Sequence, residues 1–381
     1  MNFNLKKILI IGGGVFILLA AVFVMYNLFF KAPATPKEIV LEEEIAIKEK
    51  KKPAAAQKVA AISSEAVVSP SLSPDGAKIR YYLKSNGNVL ESDFNGGGVT
   101  RVSSAVLKNL IKVLWSPSRD KVISVFEENG TAKKSYYDYN TGRAASLPDG
   151  MKYIVWSKDG KQIAYNYVSG MVGNISVSNP DGSGWKVLQN ARIPDLVMYW
   201  YQKDKIAFAS APSGLAASTL LSADLTKPGE LLALFSDVYG LIANWSPSGN
   251  KLIYSATDSD GKNLNLYFKD IITQKANNFG LATIAEKCAW SINDKTIYCA
   301  IPDDIPARFV LPDDYYKGYF SVNDKLVKIN TDTGEVLEIF PPATGTFVSA
   351  GYDITQILLS PSEDYLFFVN RKDGLLYRVK L

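Results

Sequence analysis

The chain has 381 residues, 47% hydrophobic and 12% aromatic, enough for a buried core, with 42 Lys and Arg against 38 Asp and Glu and no histidine. The stretch up to Lys52 holds eight lysines and five glutamates, so the rest of the chain carries 34 basic against 33 acidic groups and offers no sustained basic stripe for nucleic acid. The lack of histidine removes His-ligated metals, Ser-His and Cys-His nucleophile pairs and histidine general bases.

From Ile8 to Phe30 the chain carries no charge. At about 1.5 Å per residue this run is long enough to cross a hydrocarbon core of about 30 Å. Lys6 and Lys7 precede it, so the positive-inside rule places residues 1–7 in the cytoplasm and the rest of the chain outside it. A cleaved signal peptide is the rival reading, since Ala32-Pro33-Ala34 resembles a cleavage site. The apolar run exceeds the usual signal core of about 7–15 residues, which favours an uncleaved, single-pass anchor in the cell membrane. Ile10 to Gly14 imitates a dinucleotide-binding turn but lacks its third spaced glycine. Residues 31–58, with Pro33, Pro36 and Pro53, an acidic cluster at Glu42 to Glu44 and a basic one at Lys50 to Lys52, read as a solvated linker.

Beyond the linker one unit recurs. It is a strand ending in Trp or Leu, a tight turn, and a second strand. Its copies begin Leu72-Ser73-Pro74-Asp75-Gly76, Trp115-Ser116-Pro117, Trp156-Ser157-Lys158, Trp200-Tyr201-Gln202, Trp245-Ser246-Pro247, Trp290-Ser291-Ile292 and Leu359-Ser360-Pro361. From Ser73 through Ser116, Ser157, Tyr201 and Ser246 to Ser291 the second positions keep one near-constant interval, and only the step from Ser291 to Ser360 is longer. A period of about 40–45 residues with room for four strands is the signature of a propeller blade. Asn86-Gly87, Asp260-Gly261, Thr141-Gly142, Asp181-Gly182 and Thr333-Gly334 supply hairpin turns around the third strand. In the fifth copy the fourth strand is expected over Ala276–Ala282. The strand-ending tryptophans are expected to pack between blades. The last copy runs out after its third strand, so residues around Val59–Val68 are expected to supply its fourth and close the ring.

The long step from Ser291 to Ser360 marks an insertion, Pro302–Phe320, between the second and third strands of the sixth copy. Its candidate binding residues are Arg308, Phe309, Tyr315, Tyr316 and Tyr319. A loop of this length is either a binding surface or a cap whose aromatic residues cover the central channel or a neighbouring blade. Cys288 and Cys299, the only cysteines, flank the turn Ser291–Lys295 of the same copy. A hairpin centred there sets them face to face, and an oxidising compartment favours a disulfide over two buried thiols.

No catalytic, metal-binding or cofactor motif is found. Asp258-Ser259-Asp260-Gly261 echoes a calcium loop, but Lys269 stands where the bidentate glutamate is needed. Carboxylate chemistry stays open, because a glycosidase needs only two Asp or Glu.

The pattern Trp-Ser-Pro-Asp-Gly-x-x-Ile-x-Tyr resembles the WD40-like (PD40) repeats of TolB-type bacterial envelope proteins, over about residues 65–381. TolB-type proteins carry a small α/β domain ahead of the propeller, where this chain has its apolar segment. The resemblance implies a propeller in the cell envelope with a protein partner. The resulting expectation is an all-β chain, a seven-bladed β-propeller over residues 59–381 behind a single transmembrane helix. Its expected role is a non-enzymatic scaffold for an envelope protein or a surface glycan, and the alternative is a carboxylate-based enzyme acting on glycans.

Overall fold

The computed structural model describes residues 59–170, 172–191, 193, 195–227, 229–340 and 351–381; the expected anchor at 8–30 and linker at 31–58 lie outside the described residues. Among the described residues no helix is long and apolar enough to cross a membrane.

The described chain is an all-β propeller built from antiparallel, up-and-down sheets. After the short strand β1 (Val59–Ala61), the first four-stranded sheet contains β2 (Val67–Leu72), β3 (Ile79–Leu83), β4 (Val89–Ser92) and β5 (Thr100–Ser103). The second contains β6 (Leu110–Trp115), β7 (Lys121–Glu128), β8 (Thr131–Asp138) and β9 (Ala144–Leu147). The third contains β10 (Met151–Trp156), β11 (Ile163–Ser169), β12 (Val172–Ser178) and β13 (Lys186–Asn190). A seven-stranded sheet follows, with β14 (Leu196–Gln202), β15 (Lys205–Ser210), β16 (Ser218–Asp224), β17 (Leu231–Trp245), β18 (Lys251–Thr257), β19 (Asn265–Asp270) and β20 (Ala276–Asn278). Strand β17 pairs with β16 through its first half and with β18 through its second, and the positive φ of Asp237 and Gly240 marks the bend between them. Then come β21 (Cys288–Trp290), β22 (Thr296–Pro302), β23 (Asp324–Asn330) and β24 (Val336–Phe340). The last sheet holds β25 (Ile354–Leu359), β26 (Tyr365–Asn370) and β27 (Leu376–Lys380), and its fourth strand is β1.

The ring therefore closes with residues from before the first sheet. Val59, Ala60 and Ala61 stand opposite Val379, Arg378 and Tyr377. Strand β20 stops at Asn278, short of the expected Ala282: the Asn278 side chain accepts from Gly280 N at 2.8 Å and breaks the regular pairing, although Phe279 N and Leu281 O still bond to Leu266.

The repeated serine has a local cause. It is buried, and its hydroxyl accepts from the backbone N–H five residues on: Lys78 to Ser73 (2.9 Å), Lys121 to Ser116 (3.1 Å), Gln162 to Ser157 (3.0 Å), Lys251 to Ser246 (3.3 Å) and Tyr365 to Ser360 (3.0 Å). This satisfies a donor that the tight turn leaves outside the ladder. Three residues after the serine the backbone is left-handed, at Gly76, Arg119, Gly160, Gly249, Asp294 and Glu363. Where that residue has a side chain, the side chain braces the preceding repeat: Asp294 accepts from Ser246 at 3.1 Å, Glu363 accepts from Ser291, and Arg119 donates to Ser73 O at 3.4 Å.

The tryptophans clamp neighbouring repeats. The indole N–H donates to an innermost-strand carbonyl of the preceding repeat from Trp115 (Ser69 O, 2.8 Å), Trp156 (Leu114 O, 3.0 Å) and Trp290 (Asn244 O, 3.1 Å). Trp200 instead turns to Lys203 O in its own turn. Second strands such as β3 and β26 are buried on both faces, which explains their nearly unbroken apolar sequences. The cores lie between adjacent sheets, as where Ile123 and Tyr136 pack with Ile154, Ile163 and Tyr165.

Candidate functional site

The innermost strands surround a central channel. Register shifts in β2, β6, β10, β17 and β25 place bulges along it. A bulge re-aims side chains that regular alternation would send elsewhere. Ser69, Tyr153 and Gln356 fall within these irregularities, and Ser69 N donates to Gln356 Oε1 at 3.0 Å across the closing point of the ring.

At one end of the channel a cavity of about 430 Å³ is lined by residues including Tyr153, Tyr199, Asn244, Trp245 and Glu286. Lys112 stands beside it, its ammonium 5.3 Å from the centre of the Tyr153 ring. Tyr199 accepts from Ala243 N at 3.3 Å. Glu286 lies in the short 3-10 turn Ala285–Lys287 ahead of β21, between two buried neighbours. Glu286 and Lys112 are exposed, but protein hems them in around the channel. Burial raises the Glu286 carboxyl above its ordinary range, against the pull of the Tyr316 hydroxyl and Lys112. Burial lowers Lys112, partly opposed by Glu286, and pushes the Tyr153 phenol up to about 12. Among the described residues lining this cavity Glu286 is the only carboxylate.

The insertion reaches the same place. It leaves β22 at Pro302, forms the short helix α1 (Asp313–Tyr316) and rejoins the sheet at β23. Asp313 docks it on another part of the ring, and Asp314 braces it from within. Asp313 accepts from Ser213 Oγ (3.0 Å) and Gly214 N (2.8 Å), and Asp314 accepts from Val310 N (2.8 Å). Lys262 donates to the carbonyls of Ala307 and Phe309, both at 2.6 Å. Leu311 N donates to Gly261 O at 2.9 Å. Gly214 is needed here, because a Cβ on it would lie 2.2 Å from Leu311 O.

The five candidate residues separate. Tyr315 is buried, and its hydroxyl donates to Asp353 at 2.7 Å. Phe309 stacks on Phe320 with ring centres 4.3 Å apart, and the exposed Arg308 lies over Phe309 at 4.6 Å. The Tyr315–Asp353 bond ties the insertion to the fold, and the Phe309–Phe320 stack closes it on itself. Tyr316 points to the channel and donates to Glu286 Oε2 at 2.9 Å. Tyr319 is 65% exposed, with the Lys317 ammonium 5.6 Å from its ring. Of the five, Arg308, Tyr316 and Tyr319 are exposed, whereas Tyr315 is buried and Phe309 is half-buried.

Beneath Tyr315 lies a buried ionic cluster. Lys287 Nζ is 2.8 Å from both Asp324 Oδ2 and Asp353 Oδ1. Arg371 donates to Tyr315 O at 2.7 Å and lies 4.3 Å over the Tyr315 ring. Cys288 and Cys299, directly opposite on β21 and β22, form a disulfide bond. Among the described residues no group of three or more Cys, Asp or Glu is placed to hold a metal ion.

Sequence reasoning did not single out Lys112, Tyr153, Tyr199 or Glu286. One signal was available. Aligned on the turn serine, Ser69, Lys112, Tyr153 and Gln356 share one position of the innermost strand, where a regular core strand would be apolar.

No family model and no curated protein matches the sequence. Solved structures do match. An oligogalacturonate lyase from Vibrio parahaemolyticus aligns with a TM-score of 0.59 at 11% identity, over 84% of this chain and 93% of that one. The β-propeller domain of the trilobed protease from Pyrococcus furiosus, described as having an open velcro topology, aligns with a TM-score of 0.53 at 13% identity, over 82% and 95%. TolB from Acinetobacter baumannii aligns with a TM-score of 0.47 at 18% identity, over 72% and 63%. At these identities the likeness is one of fold.

Proposed function

We propose that the chain is a membrane-anchored binding scaffold of the cell envelope. In this reading its seven-bladed propeller stands outside the cytoplasm and holds an envelope protein or a surface glycan at the channel mouth and insertion. The count of seven follows if β17 is the fourth strand of one blade and the first of the next, in step with the seven turn copies. The anchor is the apolar segment 8–30, and its orientation rests on Lys6 and Lys7.

The observation that carries the reading is the convergence of Tyr316, from the docked insertion, on Glu286 at the channel mouth. A firmly held loop that presents the exposed Tyr319 beside a tyrosine-lined cavity is the arrangement expected of a preorganised recognition surface. The oligogalacturonate lyase likeness brings the alternative, an enzyme acting on glycans. A two-carboxylate mechanism needs a partner for Glu286, and the cavity lining offers none, which favours binding over chemistry.

The test is affinity capture from envelope extract with the full chain, followed by direct titration of the purified captured species. Tyr319→Ala and Tyr316→Phe, chosen because both side chains are exposed, run beside it. A partner bound by the wild type and weakened about tenfold or more by either variant supports the proposal. Binding indifferent to both variants removes the insertion from the interface. Turnover of a glycan substrate that is abolished by Glu286→Gln transfers the case to the enzyme.

A further inference from the structure

A second cavity, sharing no lining residue with the first, lies against the sheet formed by β10 to β13 and is lined from all four of its strands. Its volume is about 370 Å³, within the range that small-molecule sites occupy. Tyr165 stands directly opposite Ser176, and Tyr167 opposite Asn174, so these four side chains share one face of the sheet. Pro148 of the preceding sheet's exit forms part of the wall, and Trp185 forms the rim. Trp185 is 66% exposed, a costly position for the largest apolar side chain. Among the described residues no charged side chain lines the cavity.

The polar floor narrows the ligand class. Asn174 is nine-tenths buried, and its Oδ1 accepts from Ser176 Oγ at 2.7 Å. Its Nδ2 has no protein partner among the described residues, although it belongs to the cavity lining. An unpaired donor on the cavity wall can bond an occupant, so an occupant that accepts from it is selected over one that does not. A quaternary ammonium would suit the aromatic walls but offers no acceptor. An apolar peptide side chain fails in the same way. A neutral sugar ring meets both demands, with an apolar C–H face for Trp185 and the tyrosines and hydroxyl or acetamido oxygens at its edge for Asn174 and Ser176. An acidic sugar would bring a charge into a lining that has none to balance it.

We propose that this cavity is a binding site for a neutral saccharide unit, with Trp185 as the stacking platform and Asn174 as the donor. The proposal does not depend on the channel-mouth reading. The full chain is titrated with two- to four-unit oligosaccharides of glucose, galactose, mannose and N-acetylglucosamine, and acrylamide quenching of tryptophan fluorescence is followed against a Trp185→Phe reference. At least one of these saccharides is expected to shield Trp185 with a Kd of about 1 mM or tighter. Trp185→Ala, at an exposed position, and Asn174→Ala are each expected to weaken it about tenfold or more. Glu286→Gln and Tyr319→Ala are expected to leave it unchanged, so the two proposals fail separately. The proposal is overturned if no neutral oligosaccharide binds at about 10 mM. It is equally overturned if binding survives Trp185→Ala, or if choline, an apolar tripeptide or a galacturonate oligomer binds at this site in its place.

Discussion

Replacing Lys287 with Met tests whether the buried ionic cluster holds the insertion and the last two sheets together. Methionine keeps most of the aliphatic stem and removes the charge. The side chains of Lys287, Asp324 and Asp353 are 3%, 0% and 0% exposed, so solvent screens this cluster little. Each carboxylate has other help: Asp324 accepts from Ile354 N at 2.6 Å, and Asp353 accepts from Tyr315 and, at 3.3 Å, from Val322 N. These bonds do not neutralise two negative charges. Removing one partner of a buried ion pair costs about 3–5 kcal/mol, and Lys287→Met is expected to lose that much at pH 7.

The pH dependence separates charge from packing. Burial outweighs the attraction of Lys287 and pushes the Asp324 carboxyl up to about 6. A carboxyl raised in the folded state contributes stability that is fully present below its unfolded value and lost as pH rises through the folded one. Lys287 itself is raised, because the two aspartates and Tyr315 outweigh its own desolvation, so its contribution persists across neutral pH and disappears only in alkali. Without the lowering pull of Lys287 the Asp324 carboxylate protonates more readily on acidification. The penalty of Lys287→Met should therefore fall by roughly half between pH 7 and pH 4.5. Urea denaturation at both pH values, read by tyrosine and tryptophan fluorescence, gives the midpoint and slope needed. A loss below about 1 kcal/mol at pH 7, or the same loss at both pH values, refutes the argument.

Three further outcomes follow. Replacing Cys288 and Cys299 together with Ala opens a loop spanning 11 residues and should cost about 3 kcal/mol, measured by urea denaturation, while reduction of the wild type should add two protons to the intact mass. Gly249→Ala places a Cβ 1.8 Å from Tyr201 O at a φ of +74°, so it should destabilise by about 2 kcal/mol or more, whereas Gly142→Ala, with open space around it, should show only the smaller backbone effect. Glu286→Gln removes a carboxylate whose pKa burial has raised, so it should increase the melting temperature at pH 7 and change nothing at pH 3; a decrease at pH 7 would contradict the assignment.

What could be read in the sequence was local and repeated. Ser73 and its counterparts accept a bond within five residues, so their role is written into each turn. Cys288 and Cys299 flank one short turn, and their opposition follows from hairpin symmetry. The closing strand was foreseeable because the last repeat lacked one. Contacts joining distant segments left no such trace. Lys287 and Asp353 are 66 residues apart, and neither belongs to a motif. The insertion showed its length and aromatic content, but nothing local distinguished the buried Tyr315 from the channel-facing Tyr316 or the exposed Tyr319. In the left-handed turn position, glycine and acidic residues look like interchangeable turn formers. In the folded ring Asp294 and Glu363 reach the neighbouring repeat, whereas Gly249 has no room for a side chain.

The closure of the ring also has a mechanical side. Whatever precedes Val59 is joined directly to β1, a strand of three residues held to β27, with Ile62 N bonded to Leu376 O at 2.8 Å just beyond it. Tension on that leading segment falls first on these few bonds, before any other sheet is loaded. If a partner is gripped elsewhere on the ring, β1 is the fuse of the linkage. Its release would bare the edge of β27 and leave the remaining sheets connected, so a pulling experiment should show a small early extension ahead of the main rupture.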